Sequence, residues 1–410
     1  MGLRILCVTP WFPNYPTDGR FNFILHSIRA LVGAGNEVTV LVTRPWVPKV
    51  FAMMNSNWIH GRLRREQFDI AKNIRITNYL SIPRYILSEF ADFLYKCGTA
   101  TTIRNLVNEH DIQIVHAHTE RAGYGAVAVA QPLKVPVVVT LHGISTAPQL
   151  LDSQTKRQRL RYTLNGADRV VLVGEPLRAY FARLAGNDNN FRVVPNGFFL
   201  PEREQRADSR PWGYVIKFVS VSNLQEGKGV DLTLLALARI RVSGFENWIY
   251  SIIGEGAERT RLENMTDRLG LGDKVRFHGR LPHDSTLQRL ADADVFVLPS
   301  YREAFGIAYL EAMASGLLTV GVRGQGPAAF ITHGETGLLV EPNDVDSLYE
   351  NLKLIFENKP SMQRLALSGK RFVRSEFTWA RHAEKLIAVC EEALNQQYSS
   401  AKTSCPVNIH

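Results

Sequence analysis

At 410 residues, with 45% hydrophobic and 21% charged content, the chain has the size of two or three globular domains and an ordinary soluble composition. No run of 18 apolar residues occurs and residues 1–10 enter a strand pattern directly, so neither a membrane span nor a signal peptide is expected. The net charge of +9 is uneven: residues 1–206 hold 25 Lys/Arg against 15 Asp/Glu, and residues 207–410 hold 23 against 24. A basic first half favours an anionic partner such as a membrane surface. No recognised motif supports nucleic acid. Cys7, Cys97, Cys390 and Cys405 show neither disulfide nor metal-ligand spacing, which suits a reducing cytoplasm. Leu6, where a myristoylated N-terminus needs Ser or Thr, and the position of Cys405 argue against lipid anchors.

Residues 4–9 read as a buried strand, followed by a loop over residues 10–20 with three prolines and an Asp18-Gly19 turn signal. Phe21, Ile24, Leu25, Ile28, Leu31 and Val32 then recur at helical spacing, closed by Gly33 and Gly35, and residues 37–43 form the next strand. This order predicts a right-handed parallel crossover. Gly19, just ahead of the helix, is where backbone can approach a phosphate, although a glycine there is also an ordinary turn. Residues 45–65 interleave Trp46, Val47, Phe51, Met53, Met54 and Trp58 with Lys49, Arg62, Arg64 and Arg65. The pattern suits a membrane interface and equally suits a packed loop with a charged outer face. Lys156, Arg157, Arg159 and Arg161, on a helix with Leu160 and Leu164, form a second such candidate.

Buried-strand runs at residues 112–115, 135–140 and 169–173 end in polar groups: His116 and His118, His142-Gly143, and Gly174-Glu175. Ligands of open α/β sheets sit beyond the carboxyl ends of strands, so these groups are expected at one crevice. A histidine there is more often structural than catalytic; His142 is the better substrate candidate and His118 the second. A strand at residues 192–194 leads into Pro195-Asn196-Gly197, and the polar residues 201–211 read as a linker.

A second βα series follows, with a strand at 214–221, a loop at 222–229, a helix at 231–242 and strands at 249–253 and 275–278. Lys228, between Gly227 and Gly229 just before a helix, is placed to meet a diphosphate. The chain is organised around residues 293–316: an apolar strand from Val295, a loop over residues 300–305, then a helix from Gly306 that Gly316 can stop. Unpaired N–H groups and the positive end of the helix dipole make such a junction a phosphate site. Glu303 in the loop and Glu311, eight residues on and about two turns later, are carboxylates able to accept from vicinal diols. Their spacing alone is common; their setting at the end of a buried strand gives it weight. Strands at 317–322 and 336–340 and helices at 345–357, 361–375 and about 378–396 complete the series, with a tail from Gln397 that reads as disordered.

Several segments occur in a specific order: Val194-Pro195-Asn196-Gly197, Lys228-Gly229, Ala293 to Ser300, Glu303-Ala304-Phe305-Gly306 through Glu311-Ala312-Met313-Ala314, and Gly337-Leu338-Leu339-Val340. Spread over nearly the whole chain, this set, with its E-x7-E segment, resembles the retaining GT-B glycosyltransferases of family 4. The resemblance implies an α/β chain of two Rossmann-like β/α/β domains facing each other across a cleft. Residues 1–205 would form the acceptor-side domain, with a helix at about 378–396 packing back on it. Residues 206–377 would bind the nucleotide sugar and 397–410 would be a disordered tail. The implied reaction moves a hexose from a UDP- or GDP-linked donor to a saccharide acceptor, polyprenyl-diphosphate-linked, in cell-surface polysaccharide assembly. The enzyme would be cytoplasmic, peripheral at the inner face of an anionic membrane.

By position in that resemblance, Glu303 would hold donor-sugar hydroxyls, with the backbone amides of Phe305, Gly306 and Ile307 near the phosphates. Glu311 would bind the ribose, Lys228 would neutralise the leaving diphosphate and Gly19 would place an amide beside it. His142 would contact the donor sugar, and Arg280 and Leu281 would flank the base. Asn223 stands where the family often has Arg, and Asp18-Gly19-Arg20 where many members have two glycines; Arg20 or Arg323 is a candidate replacement cation. No Asp-x-Asp motif is present, so neither a metal nor a cofactor is expected. A nucleotide-sugar epimerase of the same plan and a non-catalytic nucleotide-sugar-binding subunit are the alternatives. The absence of G-x-G-x-x-G after the first strand disfavours a dehydrogenase.

Overall fold

The computed structural model describes residues 2–16, 18, 21–47, 63–81, 84–143, 154–198 and 212–403. Gly19, Arg20, most of the aromatic and basic stretch between residues 45 and 65, and the linker at 201–211 lie outside the described residues. The chain divides into two compact units, Met1–Pro195 with Trp379–His410, and Asn196–Thr378.

The first unit is built on seven parallel strands: β1 (Arg4–Thr9), β2 (Glu37–Trp46), β3 (Ile74–Leu80), β4 (Ile114–His118), β5 (Val137–Leu141), β6 (Arg169–Leu172) and β7 (Phe191–Val193). Their order in the sheet is β3-β2-β1-β4-β5-β6-β7. β4 and β5 are buried along their whole length, which is why runs such as Val137-Val138-Val139 carry no alternation. From β1 the chain first builds outward to β3, then restarts at β4 and builds the other way. The reversal opens a crevice beyond the carboxyl ends of β1 and β4. Cys7, in register with Val40 and His116, is a buried core residue.

Two elements of this unit were not anticipated from sequence. β3 is an edge strand with only Ile74 and Tyr79 buried, and the helix Arg84–Glu109 packs on it, with the Tyr79 and Tyr95 rings 4.8 Å apart. β4 also runs further than its apolar core suggested, so His116 and His118 stand within the strand rather than after it. The final helix, Trp379–Thr403, continues past Gln397, where disorder was expected to begin. It packs on the helix Asn22–Gly33 and adds Ala383, Leu386, Val389, Cys390 and Ala393 to the core. Glu392 on that helix receives Arg169 at 3.1 Å and Arg192 at 2.8 Å.

The second unit has six parallel strands: β8 (Ile216–Val221), β9 (Trp248–Ile253), β10 (Val275–Gly279), β11 (Val295–Val297), β12 (Leu318–Val322) and β13 (Leu338–Val340), in the order β10-β9-β8-β11-β12-β13. The reversal here falls between β8 and β11. Asp294 fixes that junction: its carboxylate accepts from Lys217 N at 3.0 Å, while its own N–H donates to Lys217 O at 2.9 Å.

Candidate active site

The loops after β8 and β11 meet at the reversal point of the second sheet. Tyr301 N donates to Gly227 O at 3.0 Å and Ser300 Oγ to the same carbonyl at 3.2 Å. Gly229 caps the helix Val230–Val242 at φ 73°, and a Cβ there would lie 2.2 Å from Pro299 O. Only glycine lets the two loops approach this closely. Lys228 Nζ lies 2.8 Å from Glu303 Oε2, the two side chains 24% and 15% exposed. Glu303 is itself held: its N–H donates to Gln325 Oε1 at 3.1 Å, and its carbonyl accepts from Gly326 N at 2.8 Å.

Three residues past Glu303, Gly306 at φ 92° turns the chain into the helix Ile307–Ala314. The first N–H groups of a helix have no partner within it. Gly306 is the N-cap of that helix and Ile307 its first residue, so their amides stand at the favourable dipole end, with Phe305 just ahead. Tyr309, fully buried, donates its hydroxyl to Leu298 O at 2.5 Å and pins the helix to the strand end. Glu311 is 8% exposed, and its Oε1 lies 2.8 Å from His283 Nε2. His283, which no motif marks, is the first residue of the helix His283–Ala291. Gln325 was missed for the same reason: its role depends on a loop contact and on no local pattern.

Asn223 is exposed in the loop after β8, its carbonyl accepting from Gln225 N at 2.9 Å. Arg280 is exposed and Leu281 half-buried just beyond β10. Gly254 N donates to Gly279 O at 2.8 Å, joining the loop after β9 to that end of the sheet. Arg323 pairs with Glu341 at 3.0 Å.

In the first unit, imidazoles cluster at the carboxyl ends of β4 and β5, with His116 and His118 buried. His116 Nε2 is 2.7 Å from Thr140 Oγ1, and His118 Nδ1 is 2.9 Å from His142 Nε2. The His142 ring lies 4.6 Å from that of Phe23 and 6.4 Å from that of Trp11. Burial pushes the His116 and His142 values down to about 3 and that of His118 well below the ordinary range, neighbouring imidazoles adding to the effect. His382 of the final helix bridges Ser27 Oγ at 2.8 Å and Pro195 O at 2.7 Å. The structure thus brings Lys228 to Glu303 and His118 to His142.

The family model for glycosyl transferases group 1 matches residues 202–372, and the model for glycosyltransferase family 4 matches residues 18–200. The chain belongs to the family 4 glycosyltransferases. This family 4 chain is 26% identical to a glycogen synthase of Mycobacterium tuberculosis, over 92% of each protein. It is 27% identical to a GDP-mannose-dependent alpha-(1-6)-phosphatidylinositol monomannoside mannosyltransferase of Mycolicibacterium smegmatis, over 70% of this chain and 78% of that one. Among solved structures, a sucrose-phosphate synthase from Thermosynechococcus elongatus matches with a TM-score of 0.69 at 20% identity, covering 98% of this chain and 100% of the other. Anabaena HepE in complex with UDP matches at 0.67 and 19%, with the same coverage. The fold is GT-B, and the protein is a glycosyltransferase.

Proposed function

We propose that this glycosyltransferase moves a hexose from a UDP- or GDP-linked donor to a lipid-carried saccharide, retaining the anomeric configuration and needing no metal ion. The observation that carries the reading is the Lys228–Glu303 pair, 2.8 Å apart at the reversal point of the second sheet and beside a helix start. Without donor, the two side chains neutralise each other. An arriving donor offers each a better partner: its diphosphate takes the ammonium and the Phe305, Gly306 and Ile307 amides, and its sugar hydroxyls take the carboxylate. Glu311, with one oxygen facing His283, gives the other to the ribose diol, and Arg280 and Leu281 flank the base. A sugar contact for His142, and diphosphate contacts for Gly19 and Arg20, rest on the family resemblance alone.

In the reaction, the acceptor oxygen attacks the anomeric carbon on the face that the diphosphate leaves. The bond from carbon to phosphate oxygen breaks, the bond to the acceptor oxygen forms, and the acceptor proton passes to the departing phosphate. Lys228 and the helix amides stabilise charge that grows on that leaving group. Glu303 acts as a hydrogen-bond acceptor, so the two-carboxylate scheme of glycosidases is not required.

A lipid-carried acceptor is supported by a surface patch on the first unit. Phe90 and Phe93 are 46% and 42% exposed on the helix Arg84–Glu109, with Lys96 5.5 Å from the Phe93 ring centre. Asp92, between them, receives Arg121 at 2.9 Å and Arg159 at 3.3 Å. Arg159 belongs to the helix Gln154–Gly166, which carries exposed Arg157, Arg161 and Tyr162. Aromatic rings interleaved with cations suit an anionic lipid headgroup layer.

Thermal shift against a panel of nucleotide sugars tests the donor, followed by product analysis in EDTA with and without acceptor. One UDP- or GDP-hexose should raise the unfolding midpoint, by about 2.7 kcal/mol of stability at a hundredfold excess over Kd. Transfer should then need an acceptor. An epimerised donor formed without acceptor would establish the epimerase reading instead, and binding with no turnover would establish a non-catalytic subunit.

A further inference from the structure

Consecutive residues of the loop after β11, from Ser300 to Glu303, each touch the loop after β8. Ser300 Oγ and Tyr301 N both donate to Gly227 O, and Glu303 takes Lys228. Between them, the stem of Arg302 lies along Gly227: a Cβ built on that glycine would stand 3.1 Å from Cδ of Arg302, 3.3 Å from its Cγ and 3.5 Å from its Cβ. Arg302 is thus anchored by its three stem carbons against the residue just before Lys228, while the residue as a whole is exposed. Its guanidinium carbon lies 5.9 Å from the centre of the Tyr301 ring, and no carboxylate among the described residues pairs with it. Other cations at this end of the sheet are spent or distant. Arg323 is held by Glu341, and Arg280 follows β10, two strands away from β8 in the sheet.

Over residues 222–229 and 299–306 the charged residues are Glu226, Lys228, Arg302 and Glu303. Lys228 and Glu303 cancel each other, so without Arg302 the exposed Glu226 would leave the two loops net negative and repel a diphosphate. Arg302 removes that repulsion. Its planar fork of N–H donors also spans two phosphate oxygens at once, which an ammonium does not.

We infer that Arg302 is a second catalytic cation of the transfer, its guanidinium meeting the diphosphate beside Lys228 as the bond to the sugar breaks. The inference rests on the preceding reading in taking a nucleoside diphosphate to leave beside Lys228.

Arg302→Gln keeps the three stem carbons that lie on Gly227 and removes the charge, so it should melt close to the parent. Arg302→Lys keeps the charge without the fork. Calorimetric titration with UDP and GDP, then with UMP and GMP, reads the contact directly. For whichever diphosphate binds the parent, Gln should weaken affinity about tenfold while the matching monophosphate changes by less than about threefold. Its kcat, read as release of nucleoside diphosphate, should fall about 10- to 100-fold, and Lys should fall between parent and Gln on both measures. Unchanged diphosphate affinity in Gln overturns the assignment, as does Lys no better than Gln. Weaker binding with kcat unchanged overturns the catalytic role, because the contact would then be equal in ground and transition states. A parent that binds neither UDP nor GDP removes the preceding reading and this assignment with it, whereas a parent that binds and a Gln variant that matches it remove this assignment alone.

Discussion

Lys228→Met removes one charge while keeping an unbranched stem, and it separates folding from chemistry. At 2.8 Å and an effective dielectric of about 20, the pair with Glu303 attracts by roughly 6 kcal/mol before desolvation. Desolvation and side-chain ordering return most of that, and such a partly buried pair retains about 1 kcal/mol. With Glu303 left unpaired, stability should drop by about 1–2 kcal/mol, a few degrees in the melting midpoint of units this size. The effect on transfer should be far larger. The ammonium that faces one carboxylate in the free protein would face a doubly charged leaving group in the proposed reaction. Losing one preorganised contact to a developing anion costs about 10²–10³ in rate, roughly 3–4 kcal/mol. Initial rates of nucleoside diphosphate release, measured beside calorimetric melts, report both quantities. A variant within about threefold of the parent in kcat/KM would refute the assignment of Lys228. So would a rate loss fully matched by a collapse in the melting midpoint.

Gly229→Ala combines φ 73° with a Cβ placed 2.2 Å from Pro299 O, and should cost about 2–4 kcal/mol by urea unfolding. Gly244→Ala, at φ 89° with nothing within 4 Å of the added carbon, should cost only about 1 kcal/mol; equal losses would remove the close approach as the cause. His116 and His382 titrate at about 3 and about 4 in the fold because burial disfavours their charged forms, against about 6.5 in an open chain. The unfolded state therefore binds more protons between those limits. Stability should be full above about pH 6.5 and fall as pH drops toward 4, by up to about 1.4 kcal/mol per pH unit for each ring; equal urea midpoints at pH 7 and pH 5 would contradict their burial. His283→Leu removes a partner of Glu311 and should raise donor KM about tenfold with kcat nearly unchanged, and a fall in kcat alone would place Glu311 elsewhere than on bound donor. Phe90→Ser with Phe93→Ser should abolish sedimentation with phosphatidylglycerol vesicles while leaving transfer to a short soluble acceptor intact; unchanged sedimentation would rule out that face.

Buried strands were the most legible part of the chain, because a strand such as Val137–Leu141, enclosed on both faces, has to be apolar throughout. The junction from Val295 to Gly316 was legible for a related reason, since strand, loop and helix each carry their own local signal. β3 was not, since only Ile74 and Tyr79 of its seven residues are buried and its Arg, Thr and Asn read as loop. The helix Arg84–Glu109 escaped notice because Thr99 sits on its buried face, and its position is fixed by packing on β3. At the site, Lys228, Glu303 and Glu311 stood out through their neighbours in sequence. The partners that orient them did not: Gln325 comes from 22 residues beyond Glu303 and His283 from 28 before Glu311. Such contacts are properties of folded loops, which local patterns do not encode.

The first unit is interrupted and the second is not. Asn196–Thr378 is a single stretch inserted between Pro195 and Trp379, and on both sides of the insertion the chain is fastened by His382, which reaches Pro195 O and Ser27 at once. The segment bearing Lys228, Glu303 and Glu311 can therefore be exchanged with a relative's as one continuous gene fragment, with both seams at ends already anchored. Exchanging the other unit takes two fragments that must find each other, and residues 1–195 expressed alone would leave the faces covered by Leu386, Val389 and Ala393 open to water. Chimeras that trade the second unit should thus be far easier to obtain than chimeras that trade the first.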